Sequence, residues 1–138
     1  MIPTRALKDF LKRKDYVEVA YLFGSEARGR EGPLSDIDIA VFLKESLSPK
    51  ERYKKKLHLI SEISSILKRN DVNLVVINDS PLLLAFNIIK EGSVLKCKKE
   101  SLRVLLETRI MSRYLDRKFF EDKYVREGMR RIAEKGIL

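Results

Sequence analysis

Apolar positions recur along this chain with two periods, and the changes of period divide it into elements. Over 5–14, Ala6, Leu7, Phe10 and Leu11 fall three or four apart, the spacing of an amphipathic helix, with Thr4 as its N-cap. Residues 17–23 are rich in β-branched and aromatic side chains and alternate weakly, which predicts a strand broken by Gly24. A second strand is predicted over 36–43. Ile37, Ile39 and Val41 take one face, while Asp36 and Asp38, two apart, leave the other face together. So short a link between two strands predicts an antiparallel pair.

Ser48-Pro49-Lys50-Glu51 carries the signals of a helix start: a capping Ser, Pro in the first turn and a Glu that completes a capping box. The helix is expected to run to about 69 and to bury Tyr53, Leu57, Ile60, Ile63, Ile66 and Leu67. A third strand is predicted over 71–77. A helix over 82–91 follows, capped by Ser80-Pro81 and ended by Gly92. It is apolar nearly all round, so burial on more than one side is expected. Residues 93–98 read as a short strand, charged enough to lie at a sheet edge.

From 101 onward the chain shows only helical spacing. Leu102, Leu105, Leu106, Ile110, Met111, Tyr114 and Leu115 come first. A break is expected at 116–118, after which Phe119, Phe120, Tyr124, Val125, Met129 and Ile132 resume the pattern. A lone helix does not leave so many large apolar groups in water. The tail is expected to fold back on the sheet or to bind another chain.

Composition narrows the class. A length of 138 residues suits one domain. The single Cys97 excludes an intrachain disulfide framework and suits a reducing compartment. No apolar run approaches the roughly 20 residues of a membrane span, and the N-terminus lacks a signal-peptide pattern. A cytoplasmic protein with no membrane partner is expected. The net charge of +9 favours polyanionic partners, or is simply a solvated basic surface. The run Lys50, Arg52, Lys54, Lys55, Lys56 reads first as a solvated helix face. His58 and Cys97 are expected to have no catalytic part.

The candidate chemistry lies between 24 and 38. Gly24-Ser25 closes an apolar strand, and Ser25 can cap a short helix opening at Glu26-Ala27-Arg28. Such a turn aims backbone N–H groups at an anion. Ten residues later come Asp36-Ile37-Asp38. Two carboxylates on one strand face beside a phosphate-sized turn suit Mg²⁺ bound to a nucleoside triphosphate. The Gly24 amide and Ser25 hydroxyl would hold the phosphates, with charge-assisted hydrogen bonds from Arg28 and Arg30. A carboxylate such as Asp38 inside an apolar strand needs neutralising, with a metal or an Arg as candidates.

Gly24-Ser25, ten residues, then Asp36-Ile37-Asp38 resembles the signature of the DNA polymerase β-like nucleotidyltransferases. Ala27-Arg28-Gly29 and 35–41 are similar to the minimal nucleotidyltransferase (MNT) branch, as are Val75-Val76-Ile77-Asn78-Asp79-Ser80-Pro81 and the helix after them. The tail around Tyr114-Leu115-Asp116 resembles the extension of MNT antitoxins paired with HEPN-domain ribonuclease toxins. The resemblance implies an α/β (α+β) fold with a small mixed central sheet, flanking helices and a C-terminal helical extension. It divides the chain into a nucleotidyltransferase domain at 1–99 and an extension at 100–138 that packs on the domain or on a partner. It implies transfer of AMP from ATP, with Mg²⁺, to a HEPN toxin, which is thereby silenced. Asp36 and Asp38 would be catalytic metal ligands, with Gly24, Ser25 and Arg28 holding the nucleotide. Direct binding of nucleic acid is not expected.

One position departs from the pattern. The family's third carboxylate sits in a Val-Asp-Leu-Val setting, and here the stretch is Val72-Asn73-Leu74-Val75. Asn73 is a neutral ligand that takes no proton from an attacking hydroxyl. Asp71, two residues earlier, lies about 6–7 Å away along a strand, too far to substitute. Two readings follow: an active adenylyltransferase that works without the base, or a degenerate relative that neutralises the toxin by binding and occluding it.

Overall fold

The computed structural model describes residues 3–24 and 36–135. In chain order these form α1 (Thr4–Lys12), β1 (Val17–Phe23), β2 (Ile37–Leu43), α2 (Pro49–Leu67), β3 (Val72–Val76), a 3₁₀ turn (Ile77–Asp79), α3 (Leu82–Glu91), β4 (Ser93–Cys97) and α4 (Glu100–Glu134). The sheet order is β3-β2-β1-β4. β1 runs antiparallel to both β2 and β4, whereas β2 and β3 are parallel. This is the mixed α/β sheet with flanking helices that the pattern predicts, and β4 takes the expected edge.

Both faces of the sheet are covered. Ile37, Ile39 and Val41 pack with Leu7, Phe10 and Leu11 of α1 and with Leu59, Ile63 and Leu67 of α2. On the opposite face Val19, Tyr21, Ala40 and Phe42 pack with Ala85 and Ile88 of α3 and Leu106 and Ile110 of α4. The weak alternation of β1 has a cause: its register against β2 shifts between Val17 and Val19. Such a bulge turns the strand over, so Val17 enters the first layer and Val19 the second.

Several local expectations need correction. The N-cap of α1 is Pro3, with Thr4 already helical, and Ala6 is exposed. The capping box of α2 forms as predicted, and Ile60, Ile63, Ile66 and Leu67 of the expected stripe pack on the core. Leu59, Ile63 and Leu67 go inside, whereas Tyr53 and Leu57 are 61% and 48% exposed. Mean spacing alone cannot phase a helix whose apolar residues surround it, and the sheet selects the side. Pro81, not Ser80, is the N-cap of α3; the Ser80 hydroxyl instead donates to the Ile77 carbonyl at 2.9 Å. α3 packs on more than one side, against the sheet and α4, as expected, with Leu83 left exposed. No break occurs at 116–118, because α4 is one uninterrupted 35-residue helix. Asp116, Arg117 and Lys118 are compatible with a helix interior, and a Glu121–Arg117 ion pair at 3.0 Å spans that stretch.

α4 falls into two halves. Its first half packs on α3, where Tyr114 stacks on Phe86 with ring centroids 3.8 Å apart. Beyond Tyr114, Arg117, Lys118, Glu121 and Asp122 still line a cleft with Leu82 and Leu83 of α3, and Phe119, Phe120 and Tyr124 are exposed.

Candidate active site

Asp38 lies on the face of β2 that carries Ala40 and Phe42, one step beyond the part covered by α3 and α4. Parallel pairing sets Asp38 opposite Asn73 of β3. Asp36, directly before β2, reaches the same place. The Asn73 amide donates to Asp36 Oδ2 at 3.1 Å and to Asp38 Oδ1 at 3.2 Å. Among the described residues the group beside Asp38 is an asparagine amide. It contributes two hydrogen bonds and no charge.

Asp71 takes no part. Its carboxylate is held by Arg69, which keeps it below the usual carboxylate range, and its carbonyl accepts from the Ile37 N–H at 2.9 Å. It fixes the start of the β2–β3 pair.

Gly24 closes β1 beside the strand position paired with Asp38. Its φ is +75°, and a Cβ there would stand 2.3 Å from Asp38 Oδ2. Glycine is thus required twice, by the backbone and by the carboxylate packed on it. The sequence suggested Gly24 as a phosphate-binding amide; this close approach to Asp38 it did not show. Ser25, Arg28 and Arg30, the other expected phosphate contacts, lie outside the described residues.

The donor set suits a divalent cation. Two carboxylate oxygens converge on one point, now taken by Asn73 Nδ2, and Mg²⁺ is commonly bound by one or two carboxylates with phosphate oxygens and water completing its shell. Asn73 would offer a carbonyl oxygen after rotation of its amide. Among the described residues no group of three or more His, Cys, Asp or Glu side chains comes together. Among the described residues the charge of this site rests on Asp36 and Asp38.

The far end of the sheet is built differently. Asn78 donates to the Leu43 carbonyl and accepts from the Leu43 N–H, both at 2.9 Å. Arg52 grips Asp79 with two nitrogens at 2.9 and 2.7 Å. A cleft of about 490 Å³ opens there, lined in part by Phe42, Arg52, Asn78, Arg109 and Arg113. It does not include the paired carboxylates. Tyr21, buried beside Glu107, is held well above its ordinary pKa by burial first and that carboxylate second, and donates to Glu107 at 3.2 Å. It belongs to the packing of α4. His58 is exposed on α2, and Cys97 donates to Glu100.

A mixed sheet with paired carboxylates beside a positive-φ glycine defines a nucleotidyltransferase-type domain. The family model for polymerase β nucleotidyltransferases matches residues 5–101, and the chain belongs to that family. No curated protein sequence matches it. Among solved structures, a chain from a toxin–antitoxin crystal structure with AMP-PNP aligns at a TM-score of 0.72 and 23% identity, covering 93% of this chain and 99% of that one. A chain from the MntA–HepT toxin–antitoxin aligns at 0.63 and 22%, covering 91% and 94%. A chain from a tri-AMPylated Shewanella oneidensis HEPN toxin in complex with an MNT antitoxin aligns at 0.64 and 21%, covering 91% and 98%. At these identities the likeness is one of fold.

Proposed function

We propose that this protein is an MNT-type antitoxin that transfers AMP from ATP to a partner HEPN ribonuclease toxin and so neutralises it. The observation that carries the reading is the Asp36–Asp38 pair converging beside Gly24. Its membership of the nucleotidyltransferase family supports it, as does a fold shared with structures that contain AMP-PNP or a tri-AMPylated HEPN toxin. The transfer unit is residues 1–99, with 100–138 as its extension. No helix among the described residues is long and apolar enough to cross a membrane, in keeping with a cytoplasmic setting.

In this reading Gly24, Ser25 and Arg28 hold the triphosphate, and Asp36 and Asp38 hold Mg²⁺. The metal, when bound, neutralises charge on the phosphates. A toxin hydroxyl forms a bond to the α-phosphorus as the bond to pyrophosphate breaks, and the hydroxyl proton passes to solvent water. Asn73 cannot take that proton. Its part is to hold the two carboxylates turned towards one another before the metal enters, and to offer its carbonyl oxygen once it has. Positioning and electrostatics supply most of the acceleration in phosphoryl transfer, so the reaction tolerates a missing base at reduced rate.

Asn73 also favours a second reading, a degenerate nucleotidyltransferase that binds and occludes the toxin without chemistry. One experiment separates them. The protein is incubated with ATP labelled at the α-phosphate, Mg²⁺ and the protein encoded beside it. Label on that partner, lost in Asp36→Ala and Asp38→Ala, supports transfer. A stable complex with an inhibited ribonuclease and no label leaves occlusion.

A further inference from the structure

The cleft of about 490 Å³ at the far end of the sheet is a second place, separate from the paired carboxylates. Asp38 and Phe42 lie on the same face of β2, about 13 Å apart along the strand, with the buried Ala40 between them. The volume falls within the range of about 300–1,000 Å³ usual for small-molecule sites.

The lining divides by chemistry. Phe42, Ile77, Leu106 and Ile110, all members of the core, form an apolar floor. Above it stand Arg52 from α2 and Arg109 and Arg113 from α4, against one carboxylate, Glu45. Arg52 is already committed. Asp79 accepts from two of its nitrogens, and the Leu47 carbonyl accepts from the third at 2.7 Å. Arg109 reaches Glu45 with one nitrogen at 3.3 Å, and these side chains are 45% and 66% exposed. An ion pair so exposed is worth little. Arg113 follows one helical turn later on the same side of α4, and among the described residues no carboxylate pairs with it. The cleft thus holds one uncompensated guanidinium and one loosely compensated, side by side over an apolar floor.

We propose that this cleft binds a nucleoside monophosphate, with its phosphate on Arg109 and Arg113 and its nucleoside against the floor. The charge count selects the anion. A phosphomonoester carries about −1.5 to −2 at neutral pH, which matches both guanidiniums once Glu45 is displaced. A lone carboxylate brings less charge and only repeats what Glu45 already offers. Guanidinium forks also bond phosphate oxygens in pairs. The floor selects the body. Asn78 and Ser80, the polar side chains beside it, are spent on the Leu43 main chain and the Ile77 carbonyl. What remains there is apolar surface, which gains by covering a flat base rather than meeting water. The site does not depend on whether AMP is transferred.

Calorimetric titration of the full chain with AMP in excess chelator tests it. A dissociation constant below about 1 mM is expected, unchanged in the chain carrying both Asp36→Ala and Asp38→Ala. Adenosine and inorganic phosphate are each expected to bind at least about tenfold more weakly, since each fills half of the site. Arg113→Gln and Arg109→Gln should each weaken AMP at least about tenfold through loss of a charge-assisted bond. Both side chains are exposed, so circular dichroism should match the unmodified chain. Glu45→Gln removes the competing carboxylate and should tighten AMP about two- to fivefold. Absence of AMP binding at about 10 mM in chelator overturns the proposal. So does binding that survives Arg113→Gln, binding that is lost with Asp36 and Asp38, or inorganic phosphate that binds as tightly as AMP.

Discussion

Asn73 and Asn78 stand five residues apart at the two ends of β3, and the fold gives them opposite work. Asn78 uses its donor and acceptor on the main chain of Leu43, a fully buried residue. It continues the hydrogen-bond ladder where β3 has turned away. Asn73 spends its amide on two carboxylates at an exposed edge. One end of the sheet is closed by neutral, backbone-directed bonds. The other gathers ionisable groups with no described helix above them. An amide that satisfies backbone stabilises a fold, whereas an amide that faces paired carboxylates constrains a reaction.

Mutations at the two ends should therefore separate into losses of activity and losses of stability. If the proposed transfer holds, Asp36→Ala or Asp38→Ala is expected to lower it by at least about 10²-fold, because each would remove a metal ligand and its charge stabilisation. Radiolabel incorporation reads this, and the melting temperature should hardly move. Asn78→Ala should do the converse. It strands the Leu43 N–H and C=O and costs about 2 kcal/mol, roughly a 30-fold change in the folding equilibrium. Urea unfolding measures it, while transfer by the folded fraction stays intact.

Gly24→Ala links the two ends of the comparison. The side chain would collide with Asp38 and occupy a left-handed backbone, so transfer should fall about tenfold with a melting loss of about 1–2 kcal/mol. Asn73→Asp sharpens the contrast further. A third carboxylate beside Asp36 and Asp38 should destabilise the protein in chelator and be rescued by Mg²⁺, and transfer should rise several-fold, within the range given by a general base. A rise in melting temperature without any rise in transfer would favour occlusion.

The smallest effect belongs to neither end. Lys44 and Lys98 contact Asp15 at 2.6 and 2.8 Å and hold its carboxyl at about 2 rather than 3.8. A carboxyl with a lowered folded pKa stabilises above its unfolded pKa and loses that contribution as pH falls through its folded one. Asp15→Asn should therefore flatten the dependence of the melting temperature on pH between about pH 4 and pH 2, with the two proteins converging at the acid end and the variant slightly less stable at neutral pH, a small loss because the pair is exposed.

Local chemistry made much of this fold legible. Strand 17–23, helix 82–91 and the Ser48 capping box all follow from propensity, turn residues and caps acting within a few positions of one another. The side buried by α2 did not, since Tyr53 and Leu57 satisfy the helical spacing as well as Leu59 does. Nor did the division of α4. Leu106 and Phe119 look alike in the sequence, but α3 covers one and no described element covers the other.

For the candidate site the same boundary holds. The chain alone determined that Asp36 and Asp38 share a face, because a strand repeats every two residues, and that Gly24 ends the strand before them. Tertiary structure decided that Gly24 packs on the Asp38 carboxylate and that Asn73 bridges both acids. Those contacts depend on the antiparallel register of β1 with β2 and the parallel register of β2 with β3. Register is set by burying two apolar faces at once, a condition that involves the whole sheet and both helix layers.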